Sequence, residues 1–200
     1  MSRLPADDTS DESLMKLCRE GDFAAYEALY TKYHEALFGF LCGIVRNREM
    51  AEDCLQGVFM RLLKKAHTYR YPSPFKPWLY RVAYNYALNE LRKIKIRNNF
   101  LVGLFMSDNN RKYQEPEAVE TAEDETAEEV RKAVDSLPEK QKAMLILSEY
   151  QGMTYDQIAL TMGCGLGAVK YNMGIVYETL SVKLAHLRGK NQFLLALLDQ

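Results

Sequence analysis

Residues 154–182, TYDQIALTMGCGLGAVKYNMGIVYETLSV, have the pattern of a helix, a tight turn and a second helix. This is the build of a helix-turn-helix unit, in which the second helix enters the major groove of DNA. Such a helix usually carries several cations or amides for phosphates and base edges. Here it begins with one cation, Lys170, followed by Tyr171 and Asn172. The stretch therefore predicts the fold of a DNA reader with an atypical reading surface.

Helical periodicity extends through most of the remaining chain, where apolar residues recur at intervals of three and four. Three prolines between residues 68 and 77 predict a loop, because proline in a helix interior removes a hydrogen bond. Between residues 98 and 121 the periodicity fades and acidic residues take over, which indicates a linker. The predicted helices cover residues 13–19, 22–46, 49–67, 75–96, 122–136, 138–150, 155–161 and 165–187.

These elements predict an all-α fold with two helical domains joined by an acidic linker. The first domain covers residues 1–97, the linker covers 98–121, and the second domain covers 122–200. The second domain contains the helix-turn-helix unit and ends in a short apolar tail. A chain of 200 residues is long enough to give each domain its own core.

The net charge of −1 hides a strong segregation of charge along the chain. Residues 61–97 contain ten cations and one anion, whereas residues 101–130 contain two cations and nine anions. A basic stretch of this density favours binding to nucleic acid, since phosphate contacts supply most of the affinity.

The bulk composition excludes several classes of protein. No apolar run approaches the length of about 20 residues that a membrane-spanning helix needs, and the N-terminus is polar and acidic. We therefore expect a cytoplasmic protein without membrane insertion. The cysteines, which form no C-x-x-C pair, favour buried reduced thiols, with a metal or redox site as the alternative. They are Cys18, Cys42, Cys54 and Cys164.

The predicted helix 75–96 carries cations and an amide on the face opposite its apolar stripe, and more cations and aromatic residues precede it. This combination suits single-stranded nucleic acid, because cations hold phosphates while rings and amides engage unstacked bases. The alternative is a solvated basic face above an aromatic core that contains Phe75 and Trp78. The candidate residues are His67, Tyr69, Arg70, Lys76, Arg81, Tyr84, Asn85 and Arg92.

Two stretches, 23–70 (FAAYEALYTKYHEALFGFLCGIVRNREMAEDCLQGVFMRLLKKAHTYR) and 75–93 (FKPWLYRVAYNYALNELRK), resemble the promoter-melting domain of extracytoplasmic-function sigma factors. The stretch 134–170 (VDSLPEKQKAMLILSEYQGMTYDQIALTMGCGLGAVK) resembles their C-terminal helix-turn-helix domain. The resemblance implies an alternative sigma factor that binds core RNA polymerase and directs promoter recognition and melting. It also implies three partners: core polymerase, promoter DNA and an anti-sigma factor. On core polymerase, the contacts would be the clamp helices of the largest subunit and the flap of the second-largest.

By this resemblance, segment 51–62 (AEDCLQGVFMRL) matches the surface that docks on the clamp helices. One position departs from the family pattern, since Gly57 stands where a carboxylate is usual. The change removes a charge from this surface, and a glycine in a helix interior costs about 1 kcal/mol of helix stability relative to alanine. Clamp affinity is therefore expected to be lower. The residues expected to contact the clamp are Glu52, Asp53, Gln56 and Arg61.

The same resemblance implies that loop 67–74 takes a base flipped out of the non-template strand of the minus-ten element. Lys76, Arg81, Asn85 and Arg92 would hold that strand. Trapping the single strand after it opens melts a promoter without fuel, because the open state is bound better than the duplex. The sequence contains no recognisable nucleophile, metal cluster or phosphate loop. We therefore expect no enzymatic activity and no cofactor.

In the C-terminal domain, the family's reader helix typically begins Ser-x-Gly-Thr-Val-Lys-Ser-Arg, whereas this one begins Gly-Leu-Gly-Ala-Val-Lys-Tyr-Asn. Two interpretations follow. The favoured one has weak binding at the minus-thirty-five element, with Lys170 on phosphate and Asn172 on adenine. The other has an apolar surface for a protein partner. The minus-thirty-five candidates are Ala168, Lys170, Tyr171 and Asn172, and the apolar candidates are Tyr171, Met173, Ile175 and Tyr177.

Two further alternatives stay open at the level of sequence. The acidic linker is either a segment threaded toward the RNA exit path of polymerase or a plain spacer. The whole chain is either a sigma factor or a sigma-like module that docks on polymerase or a regulator without reading a promoter. The basic stretch 61–97 favours the sigma factor, because a docking module needs no strand-holding surface. A simple duplex-binding repressor is disfavoured, because its reader helix would be its poorest part.

Overall fold

The computed structural model describes residues 10–70, 73–104 and 122–187, with side chains for all of these except 98–104 and 122–125. The chain divides into two compact units, Met1–Asn110 and Arg111–Gln200. Every regular element among the described residues is helical, which confirms the predicted all-α fold. The α-helices are α1 Asp11–Arg19, α2 Phe23–Val45, α3 Arg48–Lys65, α4 Phe75–Leu104, α5 Ala122–Asp135, α6 Glu139–Leu145, α7 Tyr155–Met162 and α8 Leu166–Lys183.

In the N-terminal unit, side-chain caps fix where the helices begin. Asp22 accepts hydrogen bonds from the backbone N–H groups of Ala24 and Ala25, at 2.9 and 3.1 Å, and so starts α2. Asn47 caps α3 in the same way, and Arg46 separates the two helices with a left-handed φ of 55°. Helices α1 to α4 pack together around a core that includes Leu29, Leu37, Phe40, Leu41, Val58, Leu62, Leu79 and Ala83.

Helix α4 is longer than predicted. The sequence suggested an end at residue 96, but the helix continues to Leu104, so the predicted linker does not begin at residue 98. Residues 98–104 contain no proline, and each residue added to an existing helix gains a hydrogen bond without a new nucleation cost. The rest of the predicted linker, residues 105–121, lies outside the described residues, as does the apolar tail 188–200.

The helix-turn-helix unit forms as predicted. Thr154 and Gln157 make a reciprocal capping box at the start of α7, and Gly163 ends that helix with a left-handed φ of 64°. Gly165 then begins α8 without a side-chain cap. The predicted helix 138–150 is α6 followed by one π-helical turn, Ile146–Tyr150. The core of this unit includes Leu145, Leu147, Ile158, Val169, Met173, Val176 and Leu180.

Candidate nucleic-acid and polymerase interfaces

The outer face of α4 presents three polar side chains in a row, which we call the α4 strip: Arg81, Asn85 and Arg92. All three are exposed. At 100° and 1.5 Å per residue, they lie within about 40° of one another around the helix axis and span about 16 Å along it. Arg92 donates to the side chain of Asn89 at 3.4 Å, on the neighbouring turn. Guanidinium groups in such a row can hold successive phosphates, and the amide can contact a base edge.

Tyr84, which the sequence placed beside this strip, is only 8% exposed. It follows Tyr80 by four residues and precedes Ala87 by three, and both of those are fully buried. Tyr84 therefore continues the apolar stripe of α4 and cannot stack on a base without leaving the core. The prediction that it lies on the exposed face is wrong.

Tyr69 is also buried, at 2% exposure, and it holds the loop from inside. Its ring meets Phe75 and Trp78 edge-on, with centroid distances of 6.0 and 5.4 Å. Its hydroxyl donates to the carbonyl of Ser73, across the turn of the loop. Tyr69 was predicted to contact DNA, but its position makes it the anchor of the loop.

Two of the predicted DNA-contacting residues of this loop, His67 and Arg70, are exposed on either side of Tyr69. A 3-10 turn, Ala66–Thr68, carries His67, and Thr68 closes it by donating to the Lys65 carbonyl at 2.7 Å. The carbonyl of Arg70 accepts a backbone hydrogen bond from Ser73 at 2.8 Å. These backbone and side-chain bonds hold the described part of the loop, which presents His67 and Arg70 close in sequence to the strip. Residues 71 and 72 lie outside the described residues.

Lys76 does not belong to the α4 strip, although the sequence grouped it with Arg81. The two are five residues apart, which places them about 140° from each other around the helix. Lys76 is half-buried, and burial lowers the pKa of its ammonium group, while Asp11 raises that pKa and Lys32 lowers it. These neighbours belong to α1 and α2, so Lys76 faces the other helices of its own domain.

One face of α3 is exposed along its length, and it becomes apolar toward the C-terminal end of the helix. Glu52, Asp53 and Gln56 lie on it as predicted, and Glu52 pairs with Arg48 at 3.2 Å. The same face continues with Met60 and Leu63, which are 56% and 46% exposed. We call these five residues, Glu52, Asp53, Gln56, Met60 and Leu63, the α3 face. Leu63 follows Gln56 by seven residues and Met60 by three, so it lies on the same side of the helix as these exposed residues.

Arg61 lies off the α3 face and against α4. Its guanidinium carbon sits 4.5 Å from the centroid of the Tyr86 ring, a distance that gives a cation–π contact. The same ring approaches the backbone of Gly57 so closely that a Cβ added there would overlap it. The glycine that departs from the family pattern therefore makes room for Tyr86, and Arg61 covers that ring. The structure gives Arg61 a role between the two helices that the sequence did not show.

On α8, three of the four predicted reading residues are exposed. Ala168, Lys170 and Tyr171 face solvent, and Tyr171 is 71% exposed. Asn172 is half-buried, and both ends of its amide have partners within the domain. Its nitrogen donates to the Ala168 carbonyl at 2.7 Å, and its oxygen accepts from Gln141 at 3.4 Å. Asn172 must release these contacts before it can pair with adenine.

The alternative apolar surface on α8 is smaller than the sequence suggested. Met173 is buried in the core together with Val176, and Ile175 is half-buried. Tyr177 is also half-buried, and its hydroxyl donates to Glu149 at 2.8 Å. Burial and this bond raise the pKa of Tyr177. Of the four proposed apolar residues, Tyr171 alone is exposed.

Two of the four cysteines match the interpretation as buried thiols. Cys18 and Cys54 are buried, and burial raises the pKa of each thiol to about 11, so both are protonated at neutral pH. Cys42 and Cys164 are half-buried and form no disulfide. Within the described part of the chain, no group of three His, Cys, Asp or Glu residues is arranged to hold a metal ion. No helix in that part is long and apolar enough to span a membrane.

Comparison with known proteins identifies the two domains separately. Residues 29–96 match the family model of Sigma-70 region 2, and residues 127–174 match that of Sigma-70, region 4. The RNA polymerase sigma-H factor of Pseudomonas aeruginosa is 29% identical over 166 residues, covering 80% of this chain and 86% of the relative. The ECF RNA polymerase sigma-E factor of Haemophilus influenzae is 28% identical over 198 residues, covering 91% and 99%. The chain belongs to the extracytoplasmic-function sigma factors.

Two solved sigma-factor structures share this fold. One is CnrH in complex with the cytosolic domain of CnrY, with a TM-score of 0.67, 18% identity, and coverage of 92% of this chain and 100% of that chain. The other is the sigma factor RpoE of Bartonella quintana in complex with the anti-sigma factor NepR, with a TM-score of 0.64, 21% identity, and coverage of 80% and 96%. As a sigma factor, the chain binds RNA polymerase and promoter DNA and directs transcription initiation.

Proposed function

We propose that the N-terminal domain melts the minus-ten element by holding the non-template strand along the α4 strip. The observation that carries this proposal is the alignment of Arg81, Asn85 and Arg92 on one exposed face. The two guanidinium groups bind phosphates, and the amide of Asn85 contacts a base. His67 and Arg70 surround the base that leaves the stack, on a loop anchored by Tyr69.

Melting by this surface needs no fuel. The strip binds a single strand whose bases are open, so it stabilises the open promoter relative to the duplex and shifts the equilibrium between them. The sigma factor carries no catalytic step in this scheme, and RNA synthesis belongs to the polymerase. The site of action is the cytoplasm, where polymerase and promoter meet.

The α3 face is the proposed contact with the clamp helices of the largest polymerase subunit. Met60 and Leu63 supply an apolar patch at the C-terminal end of the face, and Glu52, Asp53 and Gln56 supply polar groups along the rest of it. Protein interfaces typically combine apolar contacts with polar groups. Arg61 supports this surface indirectly, because it covers Tyr86 and ties α3 to the helix that holds DNA.

The C-terminal domain is proposed to bind the minus-thirty-five element weakly and to contact the flap of the second-largest subunit. Lys170 can hold one phosphate, and Ala168 and Tyr171 are the exposed residues beside it. An anti-sigma factor is a further proposed partner, because the sigma factor of Bartonella quintana with the same fold was solved with one. Because the minus-thirty-five contact is weak, promoter choice falls mainly to the N-terminal domain.

In vitro transcription with core polymerase on genomic fragments tests the proposal. Wild-type protein should yield specific transcripts, and the double variant Arg81→Ala, Asn85→Ala should bind polymerase normally but form about a hundredfold fewer open complexes, since two contacts of ~1–3 kcal/mol each are lost. Permanganate reactivity of melted thymines measures the open state. The control is Arg19→Ala, which removes an exposed cation from α1 of the same domain.

Two results would contradict the proposal. Wild-type reactivity in the double variant would remove the α4 strip from promoter melting. Polymerase binding by the wild-type protein without a specific transcript from any fragment would instead favour the docking module.

A further inference from the structure

Helix α4 begins without a capping side chain of its own. The first N–H groups of a helix lack partners inside it, and a Ser, Thr, Asp or Asn just before the helix usually supplies one. The residue before α4 is Pro74, whose side chain accepts no hydrogen bond. Phe75, the first helical residue, is fully buried, so its backbone N–H needs a partner from elsewhere.

Glu12, from α1, supplies that partner. Its Oε1 accepts the backbone N–H of Phe75 at 2.8 Å, across a separation of 63 residues in the sequence. A carboxylate at this place also interacts favourably with the positive end of the helix dipole. Glu12 is half-buried, which limits competition from water. One side chain of the N-terminal helix thus caps the helix that carries the α4 strip.

The residue beside Glu12 holds α1 in place for this task. Asp11 accepts a hydrogen bond from the Tyr33 hydroxyl at 2.5 Å and pairs with Lys32 at 2.7 Å, both on α2. The Tyr33 ring meets the Phe75 ring at a centroid distance of 5.6 Å. The adjacent acids therefore join α1 to α2 and to the start of α4.

The capped residue also touches the loop that reads DNA. The ring of Phe75 packs edge-on against that of Tyr69 at 6.0 Å, and Tyr69 closes the loop by its bond to the Ser73 carbonyl. Helix α1 itself contacts the turn Ala66–Thr68, which carries His67. A continuous set of contacts therefore runs from Glu12 through Phe75 and Tyr69 to the exposed loop residues.

We propose that Glu12 is a positioning residue for reading the minus-ten element. Glu12 fixes the first turn of α4 and thereby the positions of His67 and Arg70 relative to the α4 strip. These positions determine which flipped base the N-terminal domain accepts. This inference rests on the proposed function, because Glu12 affects base selection only if the N-terminal domain holds the melted strand. Glu12 lies outside the region that matches Sigma-70 region 2, which begins at residue 29.

The test measures base discrimination as well as stability. We would measure open-complex formation by polymerase carrying wild type, Glu12→Gln or Glu12→Leu on four promoter fragments that differ only in the flipped base. The ratio between the best and the worst base should fall in Glu12→Leu by up to about fivefold, since the free energy of one lost helix cap sets the upper limit, and less in Glu12→Gln, whose amide oxygen still accepts. The matched control is Glu27→Gln, an exposed carboxylate on α2.

A rescue variant separates capping from other roles of the carboxylate. Replacing Pro74 by Asp places an acceptor directly before α4, so the double variant Glu12→Leu, Pro74→Asp should recover most of the lost discrimination. Pro74→Asp alone shows what the change in the loop does by itself, and the rescue is the ratio of the double variant relative to that single variant. If Glu12→Leu does not fold, the Glu12→Gln ratio at a temperature of matched folded fraction decides the question.

An unchanged base ratio in folded Glu12 variants, with open complexes reduced equally on all four fragments, would overturn the proposal and leave Glu12 as a stabilising residue. Failure of the rescue would also count against a capping role. Failure of the proposed function looks different, because the wild-type arm would then show no open complex on any fragment.

Discussion

Helices α4 and α8 are both partly exposed helices of small helical domains, yet they differ in what the exposed side carries. Along α4, the exposed side chains of Arg81, Asn85 and Arg92 form the row that we propose holds the melted strand. On α8, Lys170 is the cation among the candidate minus-thirty-five residues. The side-chain amide of Asn172 is already hydrogen-bonded to Gln141 and to the Ala168 carbonyl. The comparison teaches that a helix-turn-helix fold survives when its reading groups are replaced, because its core side chains maintain it.

The two helices also differ in how neighbours fix them. Glu12 caps α4, and the Tyr86 ring of that helix fits against Gly57 of α3 and under Arg61. Helix α8 begins at Gly165 without a side-chain cap. The side-chain cap belongs to the helix that we propose holds the melted strand, where a small displacement would change which base is accepted.

The largest effect that separates the two regions is expected from a matched pair of glycine substitutions. Gly57→Ala should destabilise the N-terminal domain by about 1–3 kcal/mol, because the added methyl group overlaps the Tyr86 ring. Gly174→Ala should stabilise the C-terminal domain by up to about 1 kcal/mol, because that glycine is helical and no atom lies within reach of an added Cβ. Thermal unfolding of the full chain measures both.

A Tyr86→Ala background serves as the control for the first member of the pair. Removing the ring should abolish most of the cost of Gly57→Ala, because the two changes share one contact. Equal and stabilising effects of the two alanines would show that Tyr86 yields easily and that the fit between α3 and α4 is loose.

A smaller effect is expected when a cation is returned to α8. Tyr171→Arg should raise the affinity for duplex DNA about threefold to tenfold and steepen its salt dependence by about one phosphate contact, because each such contact releases a counterion. Tyr171 is 71% exposed, so the substitution should leave the core intact. Tyr171→Gln is the matched uncharged control, and DNA binding against salt concentration is the measurement. An unchanged salt slope would mean that α8 does not approach the phosphates.

The fold could be predicted from the sequence because periodicity, prolines and caps are local signals. The start of α2 follows from Asp22, the break between α2 and α3 from Asn47, and the turn of the helix-turn-helix from Gly163 and Gly165. The predicted end of α4 is too early, because the fading periodicity from residue 98 indicated a linker, whereas residues 98–104 contain no proline and continue the helix.

The candidate sites could be predicted only in part, because amphipathic side chains such as those of Tyr and Lys occur both in the core and at the surface. Arg81, Asn85 and Arg92 are exposed as predicted, but Tyr69 and Tyr84 belong to the core and Lys76 faces α1 and α2. A tyrosine or a lysine looks the same in the sequence whether it contacts DNA or packs inside its own domain. The cap from Glu12 and the fit of Tyr86 on Gly57 join residues far apart in sequence, so local patterns carry no sign of them.

The central claim is that promoter choice depends on the N-terminal domain more than on α8. The direct measurement is open-complex formation by wild-type holoenzyme on one promoter with either a single base changed at the flipped position or the whole minus-thirty-five element scrambled. We expect the single change to cost about tenfold or more, and the scrambling to cost less, because a base contact is worth ~1–3 kcal/mol and α8 offers few. A hundredfold loss on scrambling, with little loss from the single change, would contradict the account.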